Sequence, residues 1–121
     1  MKKKDIKILL VDDEPDVIEI IRYNLNKEGY RLYFAYDGLE ALKKAKEEIP
    51  HLIIMDVMMP KMDGIEACEE LRNDVRFSDT IIMFLTARGE DYSFMAGFDA
   101  GADDYVTKPI KPKIIVSKVK S

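Results

Sequence analysis

Apolar residues fall into five short runs along this chain, at positions 6–11, 30–35, 52–57, 81–85 and 105–106. Several are almost unbroken in Ile, Leu, Val and Met, without the alternation expected of a strand with one wet face. Runs of this kind read as strands buried on both sides. Between them the apolar positions switch to helical spacing. Val17, Ile21 and Leu25 share one face of a segment that Pro15 opens, with Asp13 or Glu14 as its cap, and that Gly29 closes. Residues 38–48 form a second such segment, with Leu39, Leu42 and Ile49 apolar and Pro50 as the stop. A third, 64–72, carries Ile65, Cys68 and Leu71; a fourth, 92–100, precedes Gly101. The last begins near Lys111-Pro112 and holds Ile115, Val116 and Val119.

Five strands alternating with five helices predict an α/β fold, a doubly wound parallel sheet with helices on both faces. In such sheets the functional site lies at the carboxyl ends of the strands, beside the topological switch point. The residues just past each strand therefore carry the argument. Asp12-Asp13-Glu14 follow the first strand, Asp56 closes the third, Thr86-Ala87 the fourth and Thr107-Lys108-Pro109 the fifth. If the first and third strands are central, their carboxylates converge. Two unit charges ~4 Å apart repel by ~1 kcal/mol in water and ~4 kcal/mol near a protein surface. A hard divalent cation with oxygen ligands relieves that crowding, and Mg²⁺ suits a few carboxylates plus a phosphate. Capping of the next helix explains one acid after the first strand. It does not explain Asp56 at the end of another strand. Lys108 would stand at the same sheet edge, where its ammonium can pair with a carboxylate or a phosphoryl oxygen.

Length and charge narrow the field. The 121 residues suit one domain, with 47% apolar and 35% charged side chains. Nineteen basic against 23 acidic residues leave a net charge of −4, a poor field for holding nucleic acid directly. DNA contact would have to come from another domain. The single cysteine, Cys68, excludes an internal disulfide. No apolar run reaches the length of a membrane span, and the apolar stretch after Met1-Lys2-Lys3-Lys4-Asp5 is too short for a signal peptide. The expected compartment is the cytoplasm. His51 opens the third strand, at the opposite end from Asp56, and reads as a surface residue. Most methionines, among them Met55, Met59, Met62 and Met83, read as core or loop packing.

Five ordered strings now stand out: ILLVDDEP (8–15), DGLEAL (37–42), LIIMDVMMPKMDG (52–64), LTAR (85–88) and GADDYVTKP (101–109). Over essentially its whole length the chain resembles the receiver domains of two-component response regulators. The resemblance implies a flavodoxin-like sheet of order 2-1-3-4-5 with five helices. It matches Asp56 to the phosphoacceptor and Asp12 and Asp13 to the acid pair that holds Mg²⁺. Asp56 and the backbone carbonyl of Met58 complete that ligand set. It matches Thr86 to the residue that hydrogen-bonds the phosphoryl group and Lys108 to the lysine that pairs with it. Tyr105 matches the switch aromatic and Pro109 a cis proline. Met58 and Arg88 would line the approach to the phosphoryl group. The implied donor is a phosphohistidine on a sensor histidine kinase.

GADDYVTKP followed by a lysine-rich helix is most similar to the OmpR/PhoB-like winged-helix regulators. That similarity implies transcriptional output through a C-terminal DNA-binding domain, with residues 1–121 as the receiver and the effector outside them. A receiver of a hybrid histidine kinase, or a single-domain regulator that docks on proteins, is the alternative. The subfamily also implies a homodimer through the fourth helix, fifth strand and fifth helix, held by cross-subunit ion pairs. Phe94 and Ile114 stand where a basic and an acidic residue are usual, a paired change to apolar side chains. Asp104 and Lys118 keep the charges of a second pair. Two other chemistries fit less well. A haloacid-dehalogenase-type phosphatase wants an Asp at position 58, which is Met58. A flavin binder wants a Ser/Thr/Gly-rich loop where Asp12-Asp13-Glu14-Pro15 stands.

Overall fold

A computed structural model describes residues 2–87 and 99–120. A short 3₁₀ turn, Lys3–Asp5, leads into β1 (Lys7–Val11), α1 (Pro15–Glu28), β2 (Arg31–Ala35), α2 (Gly38–Glu48) and β3 (Leu52–Asp56). Next come α3 (Gly64–Arg72), a 3₁₀ turn at Val75–Phe77 and β4 (Ile81–Ala87). β5 (Asp104–Lys108) and α4 (Pro112–Lys120) complete the described chain. All strand pairs are parallel, and their order is β2-β1-β3-β4-β5, as expected. The segment predicted as the fourth helix lies mostly outside the described residues, so α4 here is the fifth predicted helix.

The unbroken apolar runs have a direct cause. Successive side chains of a strand point to opposite faces, and here both faces are covered. Leu9, Val11, Ile53, Met55, Ile82 and Phe84 pack with Ala41, Ala45, Ala67, Cys68 and Leu71 of α2 and α3. Ile8, Leu10, Ile54, Met83, Leu85 and Val106 pack with Ile18, Ile21 and Leu25 of α1 and Ile115 of α4 on the other side. Met55 and Met83 are buried, and Met59 and Met62 pack against the first of these cores.

Helix ends follow the sequence signals, with one correction of face. Gly29 closes α1 at φ +96°, and Asp37 and Asp63 cap α2 and α3 through their side chains. Glu14 occupies the cap position of α1 but makes no side-chain capping bond. In α2 the buried stripe is Gly38, Ala41 and Ala45, while Leu39 and Ile49 are exposed and Leu42 is only partly buried. Small residues let α2 approach β1 and β2 closely, which leaves no room for the leucines.

One side chain ties the lower half together. Arg72, at the end of α3, donates from Nε to Gly101 O (2.9 Å) and from Nη1 to Phe77 O (2.7 Å) and Thr80 O (2.8 Å). Its Nη2 meets Asp103 Oδ2 at 2.8 Å, and that same oxygen accepts from Ile82 N at 2.9 Å. Arg72→Met should lower unfolding free energy by roughly 2–4 kcal/mol, because partly buried acceptors lose their donor. Arg72→Lys should recover less than half, since an ammonium cannot reproduce the fork. Urea unfolding checks both, and a loss under about 0.5 kcal/mol for Arg72→Met would contradict the account.

Candidate functional site

Strand register brings the acids together. Val11 of β1 is level with Met55 of β3, so Asp12 stands level with Asp56 on the neighbouring strand. Asp56 is in turn level with Leu85, and Leu85 with Val106, which sets Thr86 and Lys108 just above the same line. One carboxylate oxygen from each of Asp12, Asp13 and Asp56 lies within 4.8 Å of the other two. Asp12 is fully buried and Asp56 nearly so, whereas Asp13 is exposed.

Lys108 is the counter-charge. Its Nζ lies 3.2 Å from Asp12 Oδ2 and 3.3 Å from Asp56 Oδ2. Glu14 Oε1 is a third neighbour at 3.5 Å. Asp12 Oδ1 accepts from the Glu14 amide at 2.9 Å, but the buried Oδ2 has no aligned hydrogen-bond donor. The Met58 amide points at Asp56 Oδ1 across 3.3 Å. Gly64 permits this fold of the 57–63 loop, because a Cβ there would collide with the Asp56 carbonyl oxygen.

The electrostatics follow from burial. Asp56 is pushed up to about 6, first by burial and then by the charge of Asp12, against the pull of Lys108 and the Met58 amide. Asp12 is raised too, by burial first, with the Glu14 amide and Lys108 opposing. Burial disfavours the ammonium of Lys108, but Asp56 and Asp12 outweigh it and raise its pKa. Charge is therefore crowded beyond what one lysine balances. A buried carboxylate oxygen with no aligned hydrogen-bond donor, beside two further carboxylates, is a donor set that fits a hard divalent cation.

The remaining expected residues separate into three groups. Thr86 is buried at the end of β4 beside this cluster, and Tyr105 is buried with its ring edge-on to Phe84, centroids 5.8 Å apart. The Lys108–Pro109 bond is cis. Met58 is 59% exposed, so its side chain borders the site from outside. Ile114 is exposed on α4, and Lys118 Nζ meets Asp104 Oδ2 at 3.0 Å within the one chain, where a cross-subunit pairing was expected of these charges. Phe94 and Arg88 lie outside the described residues. His51 is exposed at the far edge of the sheet, as expected, where its Nδ1 accepts from Lys7 N at 3.0 Å. Cys68 is fully buried, its thiol pushed up to about 11 by burial. The contact of Glu14 with Lys108 was not anticipated, although its place directly after the acid pair was visible.

Comparison with known proteins places these residues in context. A sequence model described as the response regulator receiver domain matches residues 8–120. The alkaline phosphatase synthesis transcriptional regulatory protein PhoP of Bacillus subtilis (strain 168) is 47% identical over 115 residues, which cover 95% of this chain. That match takes in 47% of the PhoP sequence, so the chain spans about half the length of this curated relative. A solved response regulator from Chloroflexus aurantiacus J-10-fl superposes with a TM-score of 0.90 at 37% identity, over 94% of this chain and 93% of that one. The chemotaxis response regulator CheY4 of Vibrio cholerae gives 0.90 at 31% identity, over 95% and 96%.

A pH dependence tests the site's electrostatics. With a folded pKa near 6 against 3.8 unfolded, the folded state of metal-free protein holds the extra proton between those values. The favourable contribution is thus complete below about pH 4 and is lost as pH rises through 6. Asp56→Asn removes the penalty. In EDTA its stability gain over the parent should grow from near zero at pH 4 to roughly 1–3 kcal/mol at pH 7.5. Thermal unfolding across that range checks it, and a gap that shrinks with rising pH would refute it.

Proposed function

We propose that this chain, which belongs to the response regulator receiver domain family, is a phosphorylation switch whose acceptor is Asp56. The observation that carries the reading is a nearly buried carboxylate, Asp56, set among Asp12, Asp13 and Lys108 at the switch point of a parallel sheet. Receiver domains signal rather than turn over a metabolite, and the expected phosphodonor is a histidine kinase.

In the proposed reaction an Asp56 carboxylate oxygen attacks the phosphorus of a phosphohistidine in line. The new O–P bond forms as the P–N bond breaks, and the imidazole leaves with the electron pair and takes up a proton. Lys108 gives up part of its pairing with Asp56 and turns its ammonium to the phosphoryl oxygens. Thr86, next to that position, donates its hydroxyl to one of them. Such catalysis is mostly positioning and electrostatics. Asp12, Asp13, Asp56 and the Met58 carbonyl would hold Mg²⁺, which supplies the positive charge that lets an anionic donor approach three carboxylates. Hydrolysis of the acyl phosphate by water resets the switch.

Output follows from the same residues. A Thr86 drawn toward the phosphoryl group opens space beside Tyr105, and the populations of two arrangements of the β5–α4 face shift. We read that face as a homodimer surface, with Ile114 facing Phe94 of a second copy. The PhoP name and its doubled length support transcription as the output, through a DNA-binding region beyond these 121 residues, in the cytoplasm. Among the described residues no helix is long and apolar enough to cross a membrane.

Intact-protein mass after exposure to a small phosphoramidate donor tests the chemistry. One phosphoryl group should be gained with Mg²⁺, little in EDTA and none in Asp56→Asn. A gain that survives Asp56→Asn would move the acceptor elsewhere. For the dimer, sedimentation with a beryllofluoride mimic should show association in the parent and a loss of about tenfold or more in affinity for Ile114→Glu, since a buried charge replaces an apolar contact. Equal association in both would discard this face.

A further inference from the structure

The loop that leaves Asp56, residues 57–63, is gripped from the side by a junction that the phosphoryl chemistry does not use. Asp37, between β2 and α2, is almost buried. Its Oδ1 caps α2 by accepting from Glu40 N at 2.8 Å, and its Oδ2 faces Lys61 Nζ at 3.5 Å. Capping accounts for only one of these oxygens. The capping amide and, further down, Lys61 hold this carboxyl below its ordinary pKa, so the pair is ionic. Beside it, Gly38 is pressed against the loop. A Cβ at Gly38 would stand 2.7 Å from both the carbonyl carbon and the Cβ of Met62, and closer still to the Met62 oxygen. No side chain fits there unless the loop moves.

The loop is shaped to meet this grip. Met62 N donates to Pro60 O at 2.8 Å, and Lys61 takes φ +68°, a left-handed conformation that a lysine adopts at some cost. The turn folds Lys61 back over Asp37. At its other end the loop carries Met58, whose amide makes the long 3.3 Å contact with Asp56 Oδ1. A contact already at that length is sensitive to small shifts of a tether only three residues away.

We propose that Asp37, Gly38 and Lys61 form a positioning latch, which fixes the main chain of Met58 against Asp56 and so sets the affinity of the acid cluster for Mg²⁺. This rests on the reading of that cluster as a Mg²⁺ site. The latch touches neither phosphoryl group nor metal and acts through the loop. It is distinguishable from a simple electrostatic effect by sign. If only long-range charge mattered, Asp37→Asn would weaken binding of the cation and Lys61→Met would tighten it. A latch requires both to weaken it, since each removes the same ion pair.

The test is calorimetric titration of the whole chain with Mg²⁺ alone. Asparagine caps a helix as well as aspartate, so Asp37→Asn keeps α2 intact. Each single variant should bind Mg²⁺ roughly three- to tenfold more weakly. The double variant should be no weaker than the weaker single one, because both break one interaction. Lys61→Arg should restore most of the affinity. In EDTA, without any metal, the amide resonance of Met58 should shift in both single variants while those of β1 stay in place. Gly38→Ala should weaken binding by about tenfold or more if it folds, but the proposal stands on the other two variants. Tighter binding by Lys61→Met, additive losses in the double variant, or unchanged affinities would each overturn it. If the parent itself takes up no Mg²⁺, the reading of the acid cluster fails and the latch with it. If the parent binds and the variants match it, the latch alone fails.

Discussion

The structure depends on the cost of setting two carboxylates side by side at the ends of two central strands, one of them fully buried. Asp12 and Asp56 cannot both be charged there without a cation, and the resident cation is Lys108. Its reach is a consequence of topology. β5 is not a neighbour of β3, because β4 lies between them. A long side chain on β5 must pass over the end of β4 to touch both acids, and so it passes beside Thr86. The same geometry that balances charge therefore brings Lys108 and the end of β4, where Thr86 stands, to the strand-end edge that holds Asp56. Burial of Asp56 costs stability in the resting, metal-free protein, and a site that stores such a cost responds strongly to any added charge of the right sign.

The fold was legible where periodicity and register decide it. The five apolar runs became the five strands because both sheet faces are covered, and the acids at 12 and 56 converge because Val11 is level with Met55. The ends of α1 were legible from Pro15 and Gly29 and the end of α2 from Pro50, whereas the capping roles of Asp37 and Asp63 were not read from the sequence. The buried face of α2 was not legible, because Leu39 looks like core and Ala41 and Ala45 do not. Close packing of α2 on β1 and β2 decided in favour of small residues. Glu14 beside Lys108 and the Asp37–Lys61 pair were also beyond sequence reasoning. Both depend on where a loop turns back, and the left-handed turn at Lys61 carries no signature that its residue type reveals.

Charge at the β5–α4 face is balanced locally. Asp104 and Lys118 satisfy each other within one chain, and both are partly exposed. Pairs of that kind contribute about 0–1 kcal/mol, so exchanging an internal partner for one on a second copy is close to neutral in energy. Such an exchange can set register between two copies but cannot drive them together. If two copies do meet on this face, as proposed, the drive would have to come from apolar area, which the exposed Ile114 would supply. An ion pair at that position would pay for desolvation before it gained anything, whereas an isoleucine gains from the removal of water itself. The cost is loss of discrimination: an apolar contact accepts many partners, and a charge pair rejects those of the wrong sign. Selectivity for its own copy would then rest on Asp104 and Lys118, the pair that contributes least to affinity.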